Sequence, residues 1–164
     1  MRLKNRFRDM RTIKILLEGA EAEANRAGES MPGAEHLLLA ALDLADGTAR
    51  RAFERVGADP GALRQAIDDQ HTEALRAVGI ADAQAELAGS IAQRSNGVYR
   101  SGGSAQSAFQ AAGKLARKTR TQLVGAHVLV AITEMEHGTA IRAVRSLGID
   151  IDALAAAARD EAGL

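Results

Sequence analysis

An all-α fold of about eight helices, built as a tandem duplication of a four-helix unit about a pseudo-two-fold axis, is predicted by three observations. Apolar residues recur at helical period rather than in strict alternation. Aromatic residues make up only 2% of the 164, with no Trp, one Tyr and three Phe. The core must therefore be built from Ala, Leu, Ile and Val, which suits closely packed helices better than packed sheets. Finally, Glu35-His36-Leu37-Leu38-Leu39-Ala40-Ala41-Leu42 has an echo in Ala126-His127-Val128-Leu129-Val130-Ala131-Ile132, 91 positions further on.

The elements follow in order. Met1 to Arg8 is a basic lead-in (Arg2, Lys4, Arg6, Arg8) read as a solvated tail. Asp9 or Thr12 is a plausible N-cap for a first helix whose stripe is Ile13, Leu16, Leu17, Ala20, Ala24 and Ala27. Gly28 to Gly33, with Pro32, breaks the pattern. A second helix, roughly Ala34 to Leu44, is apolar nearly all round and so is expected at the centre. Asp46-Gly47-Thr48 is a turn and cap. A third helix then buries Ala49, Ala52, Phe53 and Val56 and stops at Gly57. Asp59-Pro60 opens a fourth, bearing Leu63, Ala66 and Ile67.

The offset of 91 carries caps, stops and core faces together. Gly47-Thr48-Ala49 becomes Gly138-Thr139-Ala140, and Ala52, Val56, Gly57, Asp59 and Leu63 become Ala143, Leu147, Gly148, Asp150 and Leu154. By the same offset Ala20 falls on Ala111 and Ala24 on Leu115. The whole chain, 1–164, then reads as one domain: a first repeat at about 9–72, a connector at about 73–103 and a second repeat at about 104–162. Single copies with one apolar face fold poorly alone, so the two are expected to pack on each other.

Composition narrows function by exclusion. The 21 basic and 21 acidic residues cancel, so no global attraction to nucleic acid or anionic membrane is expected. There is no Cys for a disulfide, a thiolate nucleophile or a thiolate metal ligand. The N-terminus lacks the apolar run of a signal peptide, and no stretch approaches the roughly 20 apolar residues of a membrane span. The simplest expectation is a cytoplasmic protein.

No catalytic, cofactor or metal constellation is expected. A helical metal site needs a second ligand at i+3 or i+4, and around His36 and His127 those positions hold Leu39, Ala40, Val130 and Ala131. Both histidines are read as hydrogen-bonded structural residues near a helix start. Ala111-Ala112-Gly113-Lys114-Leu115 mimics a phosphate loop, but Leu115 stands where Ser or Thr would hold magnesium, and the segment is helix interior. Asp68-Asp69 and Asp160-Glu161 are adjacent pairs that point apart on a helix, unsuited to joint acid–base work. Arg117-Lys118-Thr119-Arg120 closes a helix, where cations complement the dipole.

The residues Gly33-Ala34-Glu35-His36-Leu37-Leu38-Leu39-Ala40-Ala41-Leu42, after a helix with Ala at four-residue spacing, resemble the N-terminal repeat of Clp unfoldases of the ClpA and ClpC type. Arg55-Val56-Gly57-Ala58-Asp59 and Ser146-Leu147-Gly148-Ile149-Asp150 resemble that family's later Leu-Gly-Ile-Asp turn. The resemblance implies an all-α double repeat without catalysis, which receives substrates and adaptors for an ATPase ring feeding a protease. The chain carries no Walker motif. Implied partners are Clp substrates, adaptors or ATPase and protease components, with cyclic-peptide natural products as further ligands. The alternative is a nucleic-acid-binding accessory protein using the basic N-terminal arm.

Some ClpC-type domains bind phosphorylated arginine through the Glu of a Thr-Glu-His motif and a Thr at the start of each repeat's first helix. Here Glu35 is kept, Ala34 replaces the motif Thr, and Met10 aligns near the helix-start Thr. In the second copy Ala126 replaces the Glu, and Ser101 is the nearest hydroxyl. Two equivalent sites are not expected. An apolar groove near the two helix starts, involving Phe7, Met10 and Tyr99, is the more generic binding surface. The candidate binding residues are therefore Phe7, Met10, Glu35, Tyr99 and Ser101.

Overall fold

The computed structural model describes residues 2–77 and 102–164, with side chains from Phe7 onward. The first copy comprises α1 (Arg2–Arg26), α2 (Ala34–Leu42), α3 (Thr48–Arg55) and, after a short 3₁₀ turn at Pro60–Ala62, α4 (Leu63–Ala77). The second comprises α5 (Gly103–Thr119), α6 (Gly125–Thr133), α7 (Thr139–Ser146) and α8 (Ile151–Ala162). The described residues thus form eight α-helices and no strand. This is the duplicated four-helix unit that the sequence predicts.

The two copies interlock. The central pair α2 and α6 pack on each other, and every residue of α2 is buried, as its all-round apolar sequence requires. Around that pair the outer helices exchange partners: α3 packs on α8, and α7 on α4. Exchange of the copies maps the first contact onto the second, which is the signature of a pseudo-two-fold axis through α2 and α6. Buried alanines dominate α5, where Ala105, Ala108, Ala112 and Ala116 form the inward stripe. Small side chains let helix axes approach closely, and this core has few bulky rings to hold them apart.

Three features depart from the sequence reading. First, the basic run is helical: α1 begins at Arg2 rather than at Asp9 or Thr12. Arg, Leu and Lys are good helix formers, and nothing in this stretch breaks a helix. Asp9 is therefore mid-helix, and its carboxylate accepts the backbone N–H of Leu123 at 3.0 Å, in the loop before α6.

Second, the repeat offset is not uniform. The buried residues Leu16, Ala20 and Ala24 of α1 correspond to Ala108, Ala112 and Ala116 of α5, 92 positions on, so the pairings of Ala20 with Ala111 and Ala24 with Leu115 are off by one. The helix ends confirm the shift. Glu29 N–H donates to the carbonyl of Ala24 at 2.8 Å and Gly28 N–H to Asn25; Thr121 N–H donates to Ala116 at 3.0 Å and Arg120 N–H to Arg117. These are the same Schellman closures 92 apart. The loop from Arg120 to α6 is one residue shorter than that from Gly28 to α2, and the offset returns to 91 beyond it.

The left-handed position that Gly28 fills at φ 76° falls to Arg120 at φ 57° in the second copy. A side chain there carries a steric penalty, partly offset because glycine loses more chain entropy on folding. Arg120→Gly is expected to stabilise the protein by about 0.5–1 kcal/mol, read from urea unfolding midpoints. An unchanged or lowered midpoint would contradict it.

Third, Asp46 and Thr48 are more than a local turn and cap. Asp46 Oδ1 accepts from Thr48 N–H at 2.9 Å, and its Oδ2 accepts from Gly125 N–H at 3.1 Å. The buried Thr48 hydroxyl accepts from Ala126 N–H at 2.8 Å. Thus the first copy satisfies the free N–H groups at the start of α6. The second copy reciprocates at α2, where Ser104 Oγ accepts from Ala34 N–H at 3.1 Å and Gly102 N–H donates to the Pro32 carbonyl. Each central helix is capped by the other repeat.

Candidate functional site

The repeated histidines do the same job in both copies. Each sits at the third position of its helix, where His36 Nδ1 accepts the Gly33 N–H at 2.9 Å and His127 Nδ1 accepts the Val124 N–H at 3.2 Å. This is the returning half of a capping box, with imidazole in place of the usual Glu or Gln. An accepting Nδ1 places the proton of the neutral ring on Nε2. In the second copy Nε2 meets the Thr121 hydroxyl at 3.3 Å. In the first copy His36 Nε2 is buried without a hydrogen-bond partner.

Burial pushes the His127 pKa below its ordinary 6.5, against the opposing pull of the Val124 backbone, Asp46 and Asp9. Above pH 6.5 both folded and unfolded states hold the ring neutral. As pH falls from 6.5 through the folded value, the unfolded chain takes up a proton that the folded chain refuses, and stability is lost. Urea unfolding between pH 8 and 5 is expected to show a smaller acid loss in His127→Gln than in the parent. Identical losses would contradict this assignment.

Around Glu35 the first copy has a feature that the second lacks. Glu35 opens α2 and is 8% exposed. Its Oε1 lies 3.7 Å from His71 Nε2 on α4 and 3.8 Å from His36 Nδ1. A Cβ at Gly33 would stand 2.5 Å from the same oxygen, so the glycine leaves the space that the carboxylate fills. On the other edge of the His71 ring, Nδ1 lies 3.2 Å from Glu29 Oε1, in the loop after α1. Burial by itself would raise the Glu35 pKa. Contact with His71, its own backbone N–H and the positive potential of His36 and His71 outweigh burial and hold it below 4.5. Reciprocally, contact with Glu35, opposed by burial and helped by Glu29, holds His71 above 6.5.

A second candidate surface runs along α1. Met10, Ile13, Lys14, Leu17, Glu18 and Glu21 line an apolar groove of about 370 Å³. Phe7 and Met10 beside it are 69% and 63% exposed. Exposure of large apolar side chains one turn apart calls for a reason, because single exposed residues are common but adjoining ones mark contact surfaces.

The sequence-predicted residues therefore divide. Phe7 and Met10 lie in the first ten residues of α1, whereas Glu35 lies beyond the far end of that helix, near Glu29. Met10 to Arg26 alone spans about 24 Å at 1.5 Å per residue, so they do not form one site with Glu35. Tyr99 and Ser101 lie outside the described residues; the hydroxyl that reaches the start of α2 is that of Ser104. The phosphate-loop mimic around Gly113 is indeed helix interior, within α5. Sequence reasoning missed Glu29 and His71 as neighbours of Glu35, because residues 6 and 36 positions away meet it only through the fold.

Among the described residues no helix is long and apolar enough to cross a membrane. The family profile of the Clp repeat (R) N-terminal domain matches residues 11–94, just over half of the chain. The chain is 39% identical over 66 residues to the chloroplastic chaperone protein ClpC1 of Oryza sativa subsp. japonica and to the chloroplastic chaperone protein ClpC of Pisum sativum. Those stretches cover 40% of this chain but only 7% and 6% of the relatives. Two solved structures share the fold. The N-terminal domain of Hsp104 from Candida albicans superposes with a TM-score of 0.61 at 14% identity, covering 90% of this chain and 87% of that one. The N-terminal domain of the chaperone ClpD from Arabidopsis thaliana superposes with a TM-score of 0.57 at 21% identity, covering 93% of each. From the profile match and the duplicated helical architecture together, the chain belongs to the Clp repeat (R) N-terminal domain family.

Proposed function

We propose that this chain is a non-enzymatic protein-binding module of the Clp chaperone–protease system, which docks substrates or adaptors, or competes for them. The observation that carries this reading is the apolar groove on α1, with Phe7 and Met10 exposed beside it. Its Met10, Ile13 and Leu17 walls suit an extended or helical peptide with apolar anchors, and Lys14, Glu18 and Glu21 supply a polar rim. Domains of this family generally receive substrates or adaptors for Clp chaperones, and the chain contains no Walker-type loop that would power unfolding.

Phosphoarginine recognition gains no support from Glu35. Its carboxylate is buried and engaged with His71, so a guanidinium ligand would have to displace that contact.

The test is fluorescence anisotropy with labelled unfolded casein and with apolar peptides, on the parent and on Met10→Asp. We expect Met10→Asp to weaken binding at least tenfold, with helical content unchanged, since Met10 lies on the surface. Undiminished binding would remove the groove from the reading. Salt-dependent retention of DNA, with no peptide binding, would favour the nucleic-acid alternative through the basic start of α1.

A further inference from the structure

We propose that Glu29, Glu35 and His71 form a binding site for a divalent transition-metal ion of the zinc class. The three side chains come from three separate elements, the α1–α2 loop, the first turn of α2 and the middle of α4. One ligand atom from each lies within 4.8 Å of the other two. Ligands at about 2.0–2.1 Å in a tetrahedral shell stand about 3.3 Å apart. Glu29 stands 3.2 Å from His71 Nδ1 and Glu35 3.7 Å from His71 Nε2, so either carboxylate is near that spacing from one ring nitrogen. The two contacts involve opposite ring nitrogens, so one nitrogen binds and the loop residue Glu29 swings round the ring edge to close the shell.

The donor chemistry selects the class of ion. Two carboxylates with one imidazole suit a borderline cation, whereas Mg²⁺ and Ca²⁺ prefer oxygen alone. Three protein ligands leave the fourth position to water. Burial is graded in a way that permits entry: the side chain of Glu35 is 10% exposed, that of His71 25% and that of Glu29 37%.

Two independent features point the same way. His36 Nε2, a buried donor without a partner, belongs to a ring whose centroid is 6.2 Å from that of His71. A buried donor without a protein acceptor is the kind of group that a bound water satisfies. Moreover, the second copy builds the same four helices without this trio. In the second copy the corresponding positions are Thr121, Ala126 and Ala162, while the capping histidine is present in both. The ligand set is thus confined to one copy of the duplicated unit.

Isothermal titration of tag-free, chelator-treated full chain with Zn²⁺, alongside thermal unfolding, tests the site. We expect one saturable equivalent and a raised unfolding midpoint, with Mg²⁺ and Ca²⁺ inactive at the same concentration. Affinity should fall at least tenfold in His71→Ala and in Glu29→Gln, and stay unchanged in His137→Ala, which alters an exposed histidine elsewhere. Glu29→Gln keeps the test decisive if His71→Ala misfolds, because Glu29 is partly exposed in a loop. Absence of saturable binding would overturn the site in favour of a bare imidazolium held between two carboxylates. So would binding that survives both substitutions, or equal binding of Ca²⁺. None of these outcomes bears on the α1 groove, so the two readings stand or fall separately.

Discussion

Phe53→Ala is expected to cost about 3–5 kcal/mol, the range for truncating a fully buried aromatic side chain. For a chain of this size that corresponds to a fall of roughly 6–20 °C in unfolding midpoint. Phe53 is fully buried and is the largest of the completely buried side chains. Its helix, α3, packs against α2 of its own copy and against α6 and α8 of the other, so the ring belongs to a helix on the seam between the copies. The repeat makes the expectation sharper: Val144 is the counterpart, and it too is buried. One large and one medium side chain fill the related positions, and elsewhere the core is mostly alanine and aliphatic. Few neighbours can swing into the vacated space, so the cavity stays open and the cost falls at the upper end. Thermal or urea unfolding checks it, with Phe53→Leu expected to cost less. A loss under about 1 kcal/mol would mean that the copies do not lock through this ring.

Gly125→Ala is the second large effect, expected to cost about 1–3 kcal/mol. Gly125 is the first residue of α6 and stands against the last turn of α2. A Cβ there would lie 2.7 Å from the Ala41 carbonyl oxygen and 3.1 Å from the Ala49 Cβ. The first obstacle is backbone of the opposing copy, so it cannot rotate away; the helices must part. Parting them also strains the bonds from Gly125 N–H to Asp46 and from Ala126 N–H to Thr48. Gly103→Ala is the control. It too opens a helix, but a Cβ there meets nothing within 4 Å, so the better helix former should leave stability unchanged or raise it by about 0.5–1 kcal/mol. If both substitutions gave the same sign, close approach at the seam would not be the cause.

The fold was legible wherever a local signal survives folding unchanged. The all-round apolar run of α2, the stops at Gly57 and Gly148 and the Asp59 and Asp150 caps all act within a few residues of themselves. The structural role of His36 and His127 was legible too, since its partner is three residues away. Less was legible at the candidate sites. Met10 carries an apolar side chain whether buried or exposed, and only the packing shows it exposed. Glu35 reads as a first-turn carboxylate in a helix dipole, which it is, but its sequence neighbours do not announce His71.

Periodicity, composition and repetition by themselves determined the all-α duplicated architecture, because helical stripes and caps are short-range properties of the chain. Tertiary structure decided the rest. It shifted the first helices to an offset of 92, since a helix follows its buried face and a loop absorbs the missing residue. It made Asp46 and Thr48 cap the other repeat, because free N–H groups at a buried helix start must find acceptors wherever packing brings them. And it gathered Glu29, Glu35 and His71, which stand on three separate elements, into one cluster on one copy only.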